Sequence, residues 1–223
     1  MKKMRIAGMA LLGVALGILM VAPAFAAAVN VGDTILFKPS VNRPGPGGLF
    51  DVYVNGSSTS LFQTFCLERN ENLEFNRNYT VGSIGGAVNG GVAGGNPDPI
   101  DYRTAYLYTQ FIQGTLTGYD YDVTHAAANG LDQKGLQEAI WYLEGEAGLT
   151  ADAMEWFNLA QGNANAVDPI LVKAINPVSY DATGQLVQNQ SVLVYVPEPG
   201  TLLLLGSGLL GLALAGSRKK FRK

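Results

Sequence analysis

Two uncharged segments close the ends of the chain, and between them they decide which residues are left to fold. The first lies in MKKMRIAGMALLGVALGILMVAPAFA, where Lys2, Lys3 and Arg5 stand ahead of an apolar run that ends on Ala24-Phe25-Ala26. That ending is the small-x-small pattern at which signal peptidase cuts, so residues 1–26 read as an export signal and the mature chain begins near Ala27. The second runs from Thr201 to Ala215 and is followed by Arg218, Lys219, Lys220, Arg222 and Lys223. It is short against the roughly 20 residues of a spanning helix, but flanking side chains can snorkel, and the basic end predicts a transmembrane helix with a cytoplasmic stop. Residues 27–196 remain, enough for one domain with its own core.

With the ends set aside, the charge balance changes. The whole chain carries −3, yet residues 27–196 hold 7 Lys and Arg against 17 Asp and Glu, a net −10. A body this acidic excludes nucleic acid and anionic membranes as partners, since neutralising phosphate needs a basic face. It suits a solvated surface protein. A single cysteine, Cys66, rules out an intramolecular disulfide in an exported chain and leaves one thiol to be accounted for.

Strand signals fill the first part of the body: VNVGDTILFK, LFDVYV, the turn NGSS and SLFQTFCLE, with the turn-rich PSVNRPGPGG between the first two. Gly82 to Pro99, rich in Gly, Asn and Pro, predicts a loop within the domain. Helical spacing follows in IDYRTAYLYTQFIQG, DQKGLQEAIWYLEGEA and TADAMEWFNLAQG, the last with Thr150 as N-cap candidate. AINPVSY and QSVLVYV then read as a closing hairpin around the turn DATGQ. Strands at both ends around a central group of helices predict a single α+β domain.

In GLQEAIWYLEGE, Leu136, Ile140 and Leu143 form a helical stripe, and Gln137 sits at its border beside Trp141 and Glu144. A buried primary amide must find hydrogen-bond partners, so Gln137 is either bonded to a neighbouring strand or put to chemical use. His125, the only histidine, lies twelve residues earlier and is a candidate base or a plain polar side chain. Asp120-Tyr121-Asp122 lacks the spacing of an EF-hand loop, and no metal or cofactor is expected. No Ser-His-Asp order, zinc spacing or phosphate-cradling glycine loop is present.

Two resemblances add to this reading. Val196-Pro197-Glu198-Pro199-Gly200-Thr201, the leucine-glycine run and the basic end resemble the PEP-CTERM signal over the last 28 residues. That resemblance implies sorting through Pro197, Glu198 and Pro199 by an exosortase of a Gram-negative bacterium. It also implies a membrane-tethered precursor held transiently in the inner membrane, then release to the surface or extracellular matrix. Phe65-Cys66-Leu67, together with Leu136-Gln137-Glu138-Ala139-Ile140-Trp141, resembles the cysteine and TQxA-type motifs of the thioester domains of bacterial adhesins. Leu136 stands where that family usually has threonine, and Leu67 where tyrosine is common. The resemblance implies an internal thioester between Cys66 and Gln137 that acylates an amine or hydroxyl on a cell-surface or exopolysaccharide target, a single-use clamp and not an enzyme. The alternatives are a non-reactive structural protein of the matrix and a hydrolase with Cys66 as nucleophile and His125 as base.

Overall fold

The computed structural model describes residues 29–88, 90–92, 94–163 and 169–196; the export signal, Pro197-Glu198-Pro199 and the apolar tail expected from the sequence lie outside them. Four strands come first: β1 (Thr34–Pro39), β2 (Phe50–Val54), β3 (Phe62–Thr64) and β4 (Asn78–Gly85). Three helices follow, α1 (Tyr102–Ile112), α2 (Ala126–Leu143) and α3 (Met154–Gly162), and a 3-10 turn at Pro169–Leu171 leads into β5 (Val172–Tyr180), β6 (Leu186–Gln188) and β7 (Val192–Tyr195). The architecture is the expected α+β one, with strands on either side of the helices in sequence.

All strand pairings are antiparallel, in the order β3-β2-β1-β4-β5-β6, with β7 pairing β5 beside β6. Just past β3 the chain turns to the other end of the sheet. Cys66 bridges Val192, the Leu67 amide donates to the Ser191 carbonyl at 3.0 Å, and the Leu193 amide donates to the Phe65 carbonyl at 3.2 Å. The sheet therefore curls round until its two ends meet at Cys66.

That closure sets the two cores. Alternate residues of a strand face opposite ways, so Cys66 and Val192 join Ile35, Phe37, Phe50, Val52, Val81 and Ile175 inside the curl. Phe65, Leu67 and Leu193 face the helices, where Leu107, Tyr108, Leu136, Ile140 and Trp156 cover them. Both faces of FQTFCLE are thus buried, which is why its residues show no clean apolar-polar alternation. Trp141 reaches from α2 into the inner cluster.

The turn expected at DATGQ forms as the sequence suggests, with Asp181 Oδ1 accepting from the amides of Thr183 and Gln185 and Gly184 at φ +80°. Three boundaries differ. The loop expected from Gly82 begins only after Gly85, because Ser83, Ile84 and Gly85 pair with β5 beyond a register shift next to Gly82. Helix α2 starts at Ala126, ahead of the expected Asp132. Its first turns bury Asn129 and Gln133, held by hydrogen bonds among Asn42, Asn129, Gln133 and the Val41 and Asp120 carbonyls, so no apolar stripe marks them. Thr150 does not cap α3, whose N-cap is Ala153; its hydroxyl oxygen accepts from the Ala153 amide at 3.2 Å, in the turn before the helix.

Candidate functional site around Cys66 and Gln137

Three elements bring the sequence-predicted pair together. Cys66 lies on the strand segment that closes the sheet, and Gln137 lies in the second half of α2, both buried. The PGPGG stretch between β1 and β2 supplies the third partner. The Cys66 amide and the Gly48 amide each donate to Gln137 Oε1 at 3.0 Å, and Gln137 Nε2 donates to the Cys66 carbonyl at 2.9 Å. The carboxamide is clasped by the backbone of Cys66 itself, with its oxygen facing two peptide N–H groups.

Gly47 allows this approach. It adopts φ +68°, and a β-carbon there would stand 2.5 Å from Trp141 Cη2 and 2.9 Å from Gln137 Cγ. Only glycine lets the PGPGG segment lie flat on Trp141 and present the next amide to Gln137. Sequence reasoning took this stretch as a turn and missed Gly47 and Gly48 as site residues; the Gly-Gly pair was the signal available.

Beside the pair opens a cavity of about 370 Å³, whose walls include Arg43, Arg69, Lys134, Glu138, Trp141 and Gln190 along with Cys66 and Gln137. Arg43 is fixed by donating through Nε to the Gly47 carbonyl at 2.7 Å and by lying over the rings of Phe50 and Phe75. Lys134 Nζ is 2.7 Å from Glu138 Oε1 and 2.5 Å from Asp152 Oδ2.

Behind the cavity, Glu68 is 2% exposed, and its Oε2 accepts from Gln190 Nε2 and from the Ser191 amide. Burial pushes its carboxyl up to about 8, and the neighbouring Glu71 and Glu146 carboxylates add to the push. Burial also drives the Cys66 thiol far above its ordinary range; the charge of Glu68 reinforces that and Arg43 opposes it. The thiol is therefore neutral at rest. Any attack by its sulfur needs a proton acceptor, while the carboxamide is already polarised by two aligned donors.

His125 is not part of this site. It stands at the N-terminus of α2, about 18 Å along the helix axis from Gln137 at the usual rise per residue. Its Nδ1 pairs with Asp120 Oδ2 at 2.9 Å, and its ring is largely exposed. A base for Cys66 cannot be supplied from there. Asp120 and Asp122 bond their own loop, at the Asp122 and Thr124 amides. Among the described residues no group of His, Cys, Asp and Glu is placed to hold a metal ion, and no helix is long and apolar enough to cross a membrane.

No curated protein and no solved structure matches the chain. Residues 196–219 match the family model for the PEP-CTERM protein-sorting motif, and of these only Val196 lies within the described fold. The chain thus carries, directly after β7, the sorting motif of an exported, exosortase-processed surface protein.

Proposed function

We propose that this surface protein is a covalent clamp, in which the Cys66 sulfur replaces the Gln137 amide nitrogen to form an internal thioester that then acylates an amine or hydroxyl group on a cell-surface or matrix target. One observation carries the reading: Gln137 Oε1 accepts from two backbone amides at 3.0 Å, one of them that of the residue bearing the thiol.

In the first step the sulfur, its proton removed, adds to the Gln137 side-chain carbonyl carbon. The negative charge grows on Oε1, where the Cys66 and Gly48 N–H groups already point. The carbon–nitrogen bond breaks, ammonia leaves with the proton taken from the thiol, and an acyl–sulfur bond remains. In the second step a target nucleophile adds to the same carbon and the sulfur leaves as a thiol. The target stays bonded to Gln137 and Cys66 is free, so each molecule acts once.

A specific observation favours a second reading, in which the same fold is a passive matrix component. The thiol is buried and held neutral, the usual condition of an inert structural cysteine, and the three hydrogen bonds to Gln137 also satisfy a purely structural amide. Intact mass separates the two. The full chain in detergent is weighed before and after methylamine, with Cys66→Ala beside it. A chain lighter than its sequence by one ammonia, which gains one methylamine as a thiol appears, carries the clamp. A mass equal to the sequence, with a thiol that alkylates only on unfolding, establishes the passive reading.

A further inference from the structure

The target class can be read from the charges around the cavity, on the footing that the thioester forms. Residues 27–196 hold only 7 Lys and Arg against 17 Asp and Glu, yet three of the seven, Arg43, Arg69 and Lys134, line this one cavity. Lys134 is neutralised by Glu138 and Asp152. Arg43 and Arg69 are not: among the described residues the ion pairs engage Arg77, Arg103, His125 and Lys134.

In a body of net −10 a guanidinium has carboxylates to choose from, yet the half-buried Arg43 lines the cavity without an ion pair among the described residues. Arg43 is held in place from behind, while the Arg69 side chain is exposed and only its backbone is anchored. Arg43 is anchored through Gly47 and stacked over Phe50 and Phe75, and the Arg69 backbone amide donates to the buried Glu146 at 3.2 Å. The remaining charged residue of the wall is Glu71. A fixed guanidinium on Arg43 and an exposed one on Arg69, both lining the cavity beside the Gln137 carbon, make a site for an anion and repel an ammonium.

We propose that the cavity selects an acidic polysaccharide. A sugar carboxylate docks on Arg43 and Arg69, and a hydroxyl of that chain is brought to Gln137. The hydroxyl oxygen adds to the acyl carbon, the carbon–sulfur bond breaks, and the hydroxyl proton ends on the Cys66 sulfur. The products are an ester of the Gln137 acyl group and a free thiol. Neutral glycans have the same nucleophile but no group for the arginines.

The test offers trigalacturonate and maltotriose separately to the full chain in detergent and follows adduct mass and thiol release. The trigalacturonate adduct forms faster, by roughly tenfold for each charge-assisted contact, and the advantage shrinks as salt is raised. Arg43→Gln and Arg69→Gln each lower the ratio of the two rates by roughly tenfold, a readout that general damage to the site does not move. A chain short by one ammonia that labels with both sugars at equal rates overturns the charge selection and leaves the clamp standing. An unchanged ratio in both arginine variants does the same. A wild-type mass equal to the sequence overturns the clamp and this inference with it.

Discussion

Gln137 makes all of its hydrogen bonds to backbone, and two of the three go to one residue: Cys66 gives its amide to Oε1 and takes Nε2 on its carbonyl. The side chain therefore completes the sheet at the point where its two ends meet. Removing it leaves the amides of Cys66 and Gly48 and the carbonyl of Cys66 unpaired in the interior, along with a cavity. In a Cys66→Ala background, where no thioester can form and the backbone bonds persist, Gln137→Ala is expected to cost about 3–5 kcal/mol, read by urea denaturation. A loss under about 1 kcal/mol would mean that water or a rearranged loop replaces the amide.

Gly47→Ala probes the third partner. The added carbon meets Trp141 Cη2 at 2.5 Å and adopts a backbone conformation strained for alanine, so the PGPGG segment has to lift and carry the Gly48 amide off Gln137 Oε1. Loss of one such donor slows acyl chemistry by roughly 10²–10³-fold. The expected outcome is a chain that folds but is recovered mostly at its full sequence mass, with the ammonia still in place. Mass spectrometry of freshly made protein decides it.

His125→Ala is expected to leave the wild-type rate of methylamine uptake within about twofold, because the ring sits at the far end of α2 and bonds only to its own loop. A large drop in that rate would restore His125 as a base for Cys66 and require α2 to move.

The order of elements was legible in the sequence because it leaves a local mark; Cys66 and Gln137 stood out only singly, and it was the adhesin resemblance, not any local mark, that set them together. Periodicity marks the second half of α2, and a lone cysteine and a border glutamine are conspicuous in a chain with few polar side chains in its apolar runs. What was not legible depends on tertiary contacts. Asn129 and Gln133 are buried on α2 through bonds to Asn42 and Val41, some ninety positions away in the chain, so the helix start carries no apolar signal. Gly48 acts through its backbone amide, for which residue identity says little. Glu68 reads as a surface carboxylate in FCLE; it is buried because Cys66 and Leu67 run against β7 and carry it under Gln190 and Ser191. Gly135, at the start of GLQEAIW, reads as a helix weakness, yet a β-carbon there would stand 2.5 Å from the Asp152 carbonyl and 2.8 Å from Trp156 Nε1; it is the seat on which α3 packs.

The buried carboxyls make stability depend on pH with a definite sign. Glu68 and Glu144 are both pushed up to about 8, chiefly by burial, against about 4.3 for an unfolded glutamate. Between those values the folded chain holds protons that the unfolded chain has released, so the stabilisation is complete below about pH 4 and is lost as the pH rises through about 8. The domain is expected to lose a few kcal/mol from this source between about pH 5 and about pH 9; Asp33, Asp122 and Asp181, held below their ordinary range by hydrogen bonds, act in the opposite direction only below that window and do not offset it. Glu68→Gln keeps an acceptor for the Ser191 amide and for Gln190 while removing the titration, so its denaturation midpoint should vary less with pH than that of the wild type, with the two curves drawing apart above about pH 7. Parallel curves across that range would place the Glu68 carboxylate in contact with water and remove it from the low-dielectric wall behind Cys66.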